Sequence, residues 1–273
     1  MPRRVVRVRC DELAPVVGNL QHNQGLIEGA IVTAMADGIQ LLILPELATS
    51  GYYLRDRAEA LTCALASTDE FFRRLSALLK ADTVAVVGFC ENDGGVLYNA
   101  AIVLTAGAVV GVYRKAHLWD AEKELFAAGA STPPVFETPV GRLGVVICYD
   151  LEFPEMPRLL AVQGAEMIAV PTNWPMVPTP AGEHPPEVIQ AMAASRSSRI
   201  PIFCCDRRGT ERGNPWTEGS TIIDAEGWRS GTKDSNNRID ADIVIDGERL
   251  TIGPRNHVLA DRRPQLYGSS QPH

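Results

Sequence analysis

No two cysteines in this chain are spaced C-x-x-C, although it has six: Cys10, Cys63, Cys90, Cys148, Cys204 and Cys205. A zinc knuckle or a dithiol redox site relies on that spacing, so both readings are weakened. Adjacent Cys204 and Cys205 would project to opposite faces of a strand and are not expected to bridge. Neither G-x-G-x-x-G nor G-x-x-x-x-G-K-[ST] occurs, so the phosphate-cradling loops of nucleotide enzymes are missing. There is no fixed-period repeat, no Ser/Gly/Pro-rich linker and no charge block to divide the chain. One domain over residues 1–267 is therefore expected, with a frayed tail at 268–273. Positive charge is the minority, 26 Lys and Arg against 33 Asp and Glu. The resulting net charge of −7 argues against a dedicated nucleic-acid or anionic-membrane binder. The basic start, MPRRVVRVRC, is not followed by an apolar signal core. The longest weakly polar run, 101–112, contains Thr105, Gly107 and Gly111 and is too short to span a bilayer. A soluble, cytoplasmic protein with reduced thiols is the expectation.

What is present is an alternation of strand-like and helix-like segments. Short apolar runs at 5–8, 41–44, 84–90, 97–104 and 108–114 predict strands, and the turns ENDGG and TAG predict hairpins between the last three. Further strands are predicted at 144–148, 166–172, 201–205, 220–224 and 241–246. Helical periodicity covers 19–37, 69–80 (capped by Thr68 or Asp69), 154–163 (opened by Pro154) and 184–199. Layered helices with interspersed hairpins point to an α/β sandwich with mixed sheets rather than a barrel.

Three of the apolar runs stop at a reactive side chain. LLILPE ends at Glu46, GVYRK at Lys115 and GVVIC at Cys148. Ligand sites in α/β sheets lie beyond the carboxyl ends of strands, so a carboxylate, an ammonium and a thiol would meet if these strands were neighbours. A free thiol is mostly protonated at neutral pH, with a pKa of about 8.5. A desolvated carboxylate could remove that proton, and an adjacent lysine could favour the thiolate and hold a developing oxyanion. Each residue alone also has an ordinary explanation: an exposed loop acid, a solvated strand end, a core thiol. A Cys–His pair with His117 is a competing arrangement, while His22, His184, His257 and His273 lack any flanking pattern.

PELATSGY around Glu46, YRKAHLW around Lys115 and CYDLEFPE around Cys148 resemble, in order and spacing, the three signature blocks of the nitrilase superfamily of carbon–nitrogen hydrolases. The likeness continues through VPTNWP, CDRRGTERG and DRRPQLY and so covers nearly the whole chain. The resemblance implies a four-layer αββα sandwich and a Glu46–Lys115–Cys148 catalytic triad. A second family glutamate, in the pattern E-x-x-x-F-x-x-G, falls on Glu122 of EKELFAAG, with Phe126 and Gly129 in place. Glu122 rather than Glu124 is chosen by its distance from Gly129. The implied reaction is thiolate attack on an amide, with the oxyanion held by Lys115 and the Tyr149 N–H, followed by hydrolysis of a thioester. It needs neither a metal nor an organic cofactor.

Cys148-Tyr149-Asp150 resembles the amidase-like branches, whereas nitrile-attacking relatives typically read C-W-E and have longer chains. A small aliphatic amide is therefore the expected substrate, with N-carbamoyl compounds and nitriles as alternatives. Acyl transfer and a non-catalytic binding subunit are lesser ones. Tyr149, Trp119, Glu152, Asn173 and Trp174 are the expected pocket residues, although core or interface packing would equally explain the tryptophans. Glu152 stands where relatives acting on ω-amides of dicarboxylic acids often carry a basic residue, so a neutral or weakly cationic amide is expected. The resemblance also implies a homodimer or larger homo-oligomer, with the region near Cys148 and DRRPQLY as the expected interface.

Overall fold

The computed structural model describes residues 3–267, and the tail expected at 268–273 lies outside them. β1 (Arg4–Asp11) shows how side-chain alternation builds the core: Val6, Val8 and Cys10 are buried toward one face. α1 (Leu20–Ala36) opens at Asn19, whose side chain accepts the His22 N–H, and buries Ile27, Ala30, Ile31 and Ala34. Next come β2 (Leu41–Ile43), α2 (Arg57–Cys63) and α3 (Glu70–Leu78), the last capped by Asp69 as its sequence predicts. β3 (Val84–Asp93), β4 (Val96–Thr105) and β5 (Ala108–Arg114) are joined by the two expected hairpins.

Short α4 (Glu122–Leu125) leads to β6 (Val135–Thr138) and β7 (Gly141–Val145). A 3₁₀ turn (Cys148–Glu152), α5 (Glu155–Val162), β8 (Met167–Pro171), α6 (Pro186–Ser198) and β9 (Ile202–Cys205) follow. A two-stranded hairpin, β10 (Thr210–Glu211) and β11 (Asn214–Pro215), precedes β12 (Thr221–Ile223), β13 (Arg229–Ser230) and β14 (Arg238–Ile245).

Two six-stranded mixed sheets result, ordered β14-β1-β2-β3-β4-β5 and β13-β12-β9-β8-β7-β6. Val6, Ile43 and Val86 of the first sheet share one core with Val145, Ile168 and Phe203 of the second. The opposite face of the first sheet, through Leu42, Ala85 and Val87, packs on α1 and α3. α5 and α6 bury Leu160 and Ala191 in the shared core cluster beside the second sheet. This is the sandwich of mixed sheets and helices that the sequence predicts.

The sequence pattern fails instructively at Cys148. A strand is predicted through 144–148, but β7 stops at Val145. Asp150 accepts the Ile147 N–H, folding the chain back on itself, and Cys148 takes φ +46°. That left-handed conformation does not fit a strand and is uncommon outside glycine. α2 and β6, both short, form where no element is predicted.

Candidate active site

β1, β2 and β3 run parallel, and β5 returns to that direction after antiparallel β4. The carboxyl ends of β2 and β5 therefore open on the same side, carrying Glu46 and Lys115. They are not neighbours, since β3 and β4 lie between them, and the long lysine side chain closes the gap. Its Nζ donates to Glu46 Oε1 at 2.7 Å and to Glu122 Oε1 at 2.8 Å. Asn99 on β4 holds the Lys115 N–H through its main-chain oxygen and donates its side-chain amide to Glu46 Oε1 at 2.7 Å.

The second sheet meets the first at Glu46. The Glu46 carbonyl accepts from Asn173 Nδ2 at 2.9 Å, and the Cys148 Sγ lies 3.9 Å from the Asn173 carbonyl. Within the first sheet, Gly88 of β3 lets the main chain at Glu46 lie close against it. A Cβ there would come within 2.6 Å of Glu46 Cα and closer still to the Pro45 carbonyl. Glu122 accepts from the Tyr52 hydroxyl at 2.6 Å and from the Trp119 N–H at 3.1 Å. It is buried, whereas nearby Glu124 is exposed.

Solvent is nearly excluded from the group: Glu46 is 1% exposed, Lys115 0%, Glu122 4% and Cys148 7%. Burial pushes the Glu46 carboxyl up to about 7, against the opposing pull of the Lys115 charge. Burial alone would lower Lys115, but Glu46 and Glu122 outweigh it and hold the amine as ammonium. The Cys148 thiol is pushed well above its ordinary value by burial and by the Glu46 charge. At rest, then, the thiol is neutral. Glu46 Oε1 is occupied by Lys115 and Asn99, while Oε2 is buried without a hydrogen-bond partner.

Cys148 opens onto a small cavity of about 70 Å³. Tyr149, Trp119, Glu152, Asn173 and Trp174 all lie on its wall. Tyr52, Val177 and Glu187 join them there, and sequence reasoning missed all three. Tyr52 closes the PELATSGY block, a signal that could have found it, whereas Glu187 looks like any helix acid. Asn99 was also missed, although an asparagine inside the apolar run LYNAAIVL is a readable anomaly, since a buried amide must find partners. Glu46, Lys115 and Glu122 are not part of that wall, and Glu122 instead lines an adjoining cavity that shares Tyr52 and Trp119 with it. Among the described residues, no group of three or more His, Cys, Asp or Glu side chains is arranged to hold a metal ion.

His117 turns elsewhere. Its Nδ1 lies 2.7 Å from Asp150 Oδ1, and its ring stacks on Phe153 at 3.7 Å. Asp150 also accepts from the His117 N–H and the Tyr113 hydroxyl, tying the turn at Cys148 to the end of β5. The Cys–His arrangement is thus replaced by a structural His–Asp contact. Asp206, fully buried, accepts the Trp174 N–H at 3.0 Å and so sets the loop that carries a cavity tryptophan.

The carbon-nitrogen hydrolase family model matches residues 7–246 of this chain. The chain belongs to the carbon–nitrogen hydrolase family. This hydrolase is 30% identical to a probable nitrilase of Schizosaccharomyces pombe, over 95% of this chain and 96% of the relative. It is also 30% identical to an (R)-stereoselective amidase of a Pseudomonas species, over 98% and 95%. A crystal structure of an amidase from Nesterenkonia superposes with a TM-score of 0.80 at 26% identity, covering 96% of this chain and 95% of that one. The chain is thus a nitrilase-superfamily, amidase-like hydrolase of non-peptide C–N bonds. No helix among its described residues is long and apolar enough to cross a membrane.

Proposed function

We propose that this hydrolase converts a small aliphatic amide to a carboxylic acid and ammonia through a thioester on Cys148. The observation that carries the reading is the division of labour within the Glu46 carboxylate. Oε1 is held by Lys115 and Asn99, while Oε2 is buried and unpartnered in the group that includes Cys148. A carboxylate raised to about 7 is well matched to taking a proton near neutral pH. The thiolate forms as it attacks the amide carbon, and the C=O electron pair moves onto oxygen. Lys115 and the Tyr149 N–H stabilise that oxyanion. Collapse breaks the C–N bond as Glu46 passes its proton to nitrogen, so ammonia leaves and a thioester remains. Glu46 then draws a proton from water, which attacks the thioester, and the departing thiolate is reprotonated.

Glu122 keeps Lys115 aimed, since it accepts from Lys115, from Tyr52 and from the Trp119 main chain at once. Trp119, Tyr149, Asn173 and Trp174 close around the acyl group, and the small volume favours short chains. Related structures agree with this substrate class: the Nesterenkonia amidase has been captured in complexes with acrylamide and with butyramide.

The test is ammonia release from propionamide, glutaramate, an N-carbamoyl amino acid and propionitrile, by wild type and Cys148→Ala. Thiol-dependent release from propionamide supports the reading. Release from propionitrile or the carbamoyl compound, with none from propionamide, replaces it with the corresponding alternative.

A further inference from the structure

The cavity over Cys148 contains charge that the reaction at Glu46 does not use. Glu187, in the first turn of α6, and Glu152, at the end of the 3₁₀ turn, both line it. Glu187 Oε2 is buried and has no hydrogen-bond partner. Asn173, 1% exposed, lines the same cavity, and its Oδ1 is likewise buried and unpartnered. These are acceptors deprived of water without a donor in return, which is costly unless something else supplies one.

Burial raises both glutamates, and the Glu187 charge adds to the rise at Glu152. Among the described residues that form this wall there is no lysine, arginine or histidine to compensate. The remaining wall is largely aromatic and apolar, including Trp119, Trp174 and Val177. Two carboxylates in such a space favour a cation, and indole faces favour one as well. The position of Glu187 near the amino end of α6 also supports its negative charge.

We propose that the substrate carries a protonated amine at the far end of its acyl chain, held by Glu187 and Glu152 while the amide carbon faces Cys148. This rests on the amidase reading above and narrows it to ω-amino amides. Glu187 becomes the specificity-determining residue, with Glu152 in support. An ω-carboxylate of the same length would meet two like charges and be rejected.

The test separates recognition from turnover. In full-length Cys148→Ala protein, calorimetry compares 3-aminopropanamide with butyramide and 4-aminobutanamide with valeramide, so that ammonium replaces methyl at constant length. At least one ammonium ligand is expected to bind about tenfold or more tightly than its methyl counterpart, a difference of ~1.4 kcal/mol. The preference should collapse when Glu187→Gln is added, and shrink when Glu152→Gln is added instead. Equal or tighter binding of the methyl ligands overturns the proposal, as does no binding by either ammonium amide. A preference that survives in both double variants overturns its assignment to these residues. Wild-type turnover of the same four amides reports separately on the amidase reading: ammonium-selective binding with no ammonia release would leave the cation site standing while that reading fails.

Discussion

Lys115 Nζ lies 2.7 Å from Glu46 Oε1, with both side chains shut off from solvent. The same ammonium also neutralises Glu122, so one cation serves two buried carboxylates. Lys115→Met would leave both without their shared partner. Breaking a buried pair in this way costs ~3–5 kcal/mol. The denaturation midpoint in urea should fall accordingly, and ammonia release should drop to background. An unchanged midpoint would show that the pair does not hold the site together.

Glu46 also predicts two opposite pH effects. Its carboxyl sits at about 7 in the fold, against an ordinary value of 4.5. The folded state therefore binds more protons than the unfolded chain between these values. Stability contributed by Glu46 is fully present below pH 4.5 and is lost as pH rises to 7, by ~3 kcal/mol. Over the same window activity should rise, because the proposed base must be ionised, with the kcat/KM profile half-maximal near pH 7. Glu46→Gln should lose ~10²–10⁴-fold in rate and show a shallower fall of stability with pH than wild type. Parallel stability slopes for the two proteins would refute the shifted carboxyl.

Tyr52→Phe removes one hydroxyl and keeps the ring packed against Tyr53 and Trp216. Glu122 would retain Lys115 and the Trp119 N–H but lose a charge-assisted hydrogen bond, typically worth ~1.5–3 kcal/mol. We expect kcat to fall about tenfold or more, in line with that energy, with a modest change in melting temperature. A rise in KM alone would instead make Tyr52 a simple wall residue.

Gly88→Ala should damage the site without touching a reactive group. The new methyl would collide with the main chain at Pro45 and Glu46. Overpacking of this kind costs ~1–3 kcal/mol, and displacing a catalytic group by 1 Å can cost about 100-fold in rate. Gly25→Ala on the exposed side of α1 is the contrast, because a Cβ there meets nothing within 4 Å. It should stabilise the helix by ~0.5–1 kcal/mol and leave ammonia release as in wild type.

The strands and helices were legible where one period dominates. The 3.6-residue pattern of α1, the Asp69 cap of α3 and the two hairpin turns are local properties, and the chain adopts them nearly as written. Periodicity misplaces the chain at Cys148 because Ile147 is as apolar as a strand residue. What ends the strand is a side chain three residues on, Asp150, reaching back to the Ile147 N–H. Short α2 and β6 are equally invisible, since neither is long enough to display a period.

The sequence by itself determined which reactive groups end apolar runs, and the order of the three signature blocks. Only the tertiary structure decided how they meet. Glu46 and Lys115 end strands separated by two others, and Cys148 follows a strand of the opposite sheet. Their convergence depends on which strands run parallel, on a glycine thin enough to pass Glu46, and on Asn99 and Tyr52 supplying donors from β4 and from a loop. Such contacts join residues tens to more than a hundred positions apart, and no local pattern encodes them. Burial does the rest: a carboxyl that is ordinary in sequence sits near 7 chiefly because the fold has removed its water, with the Glu122 charge adding to the rise.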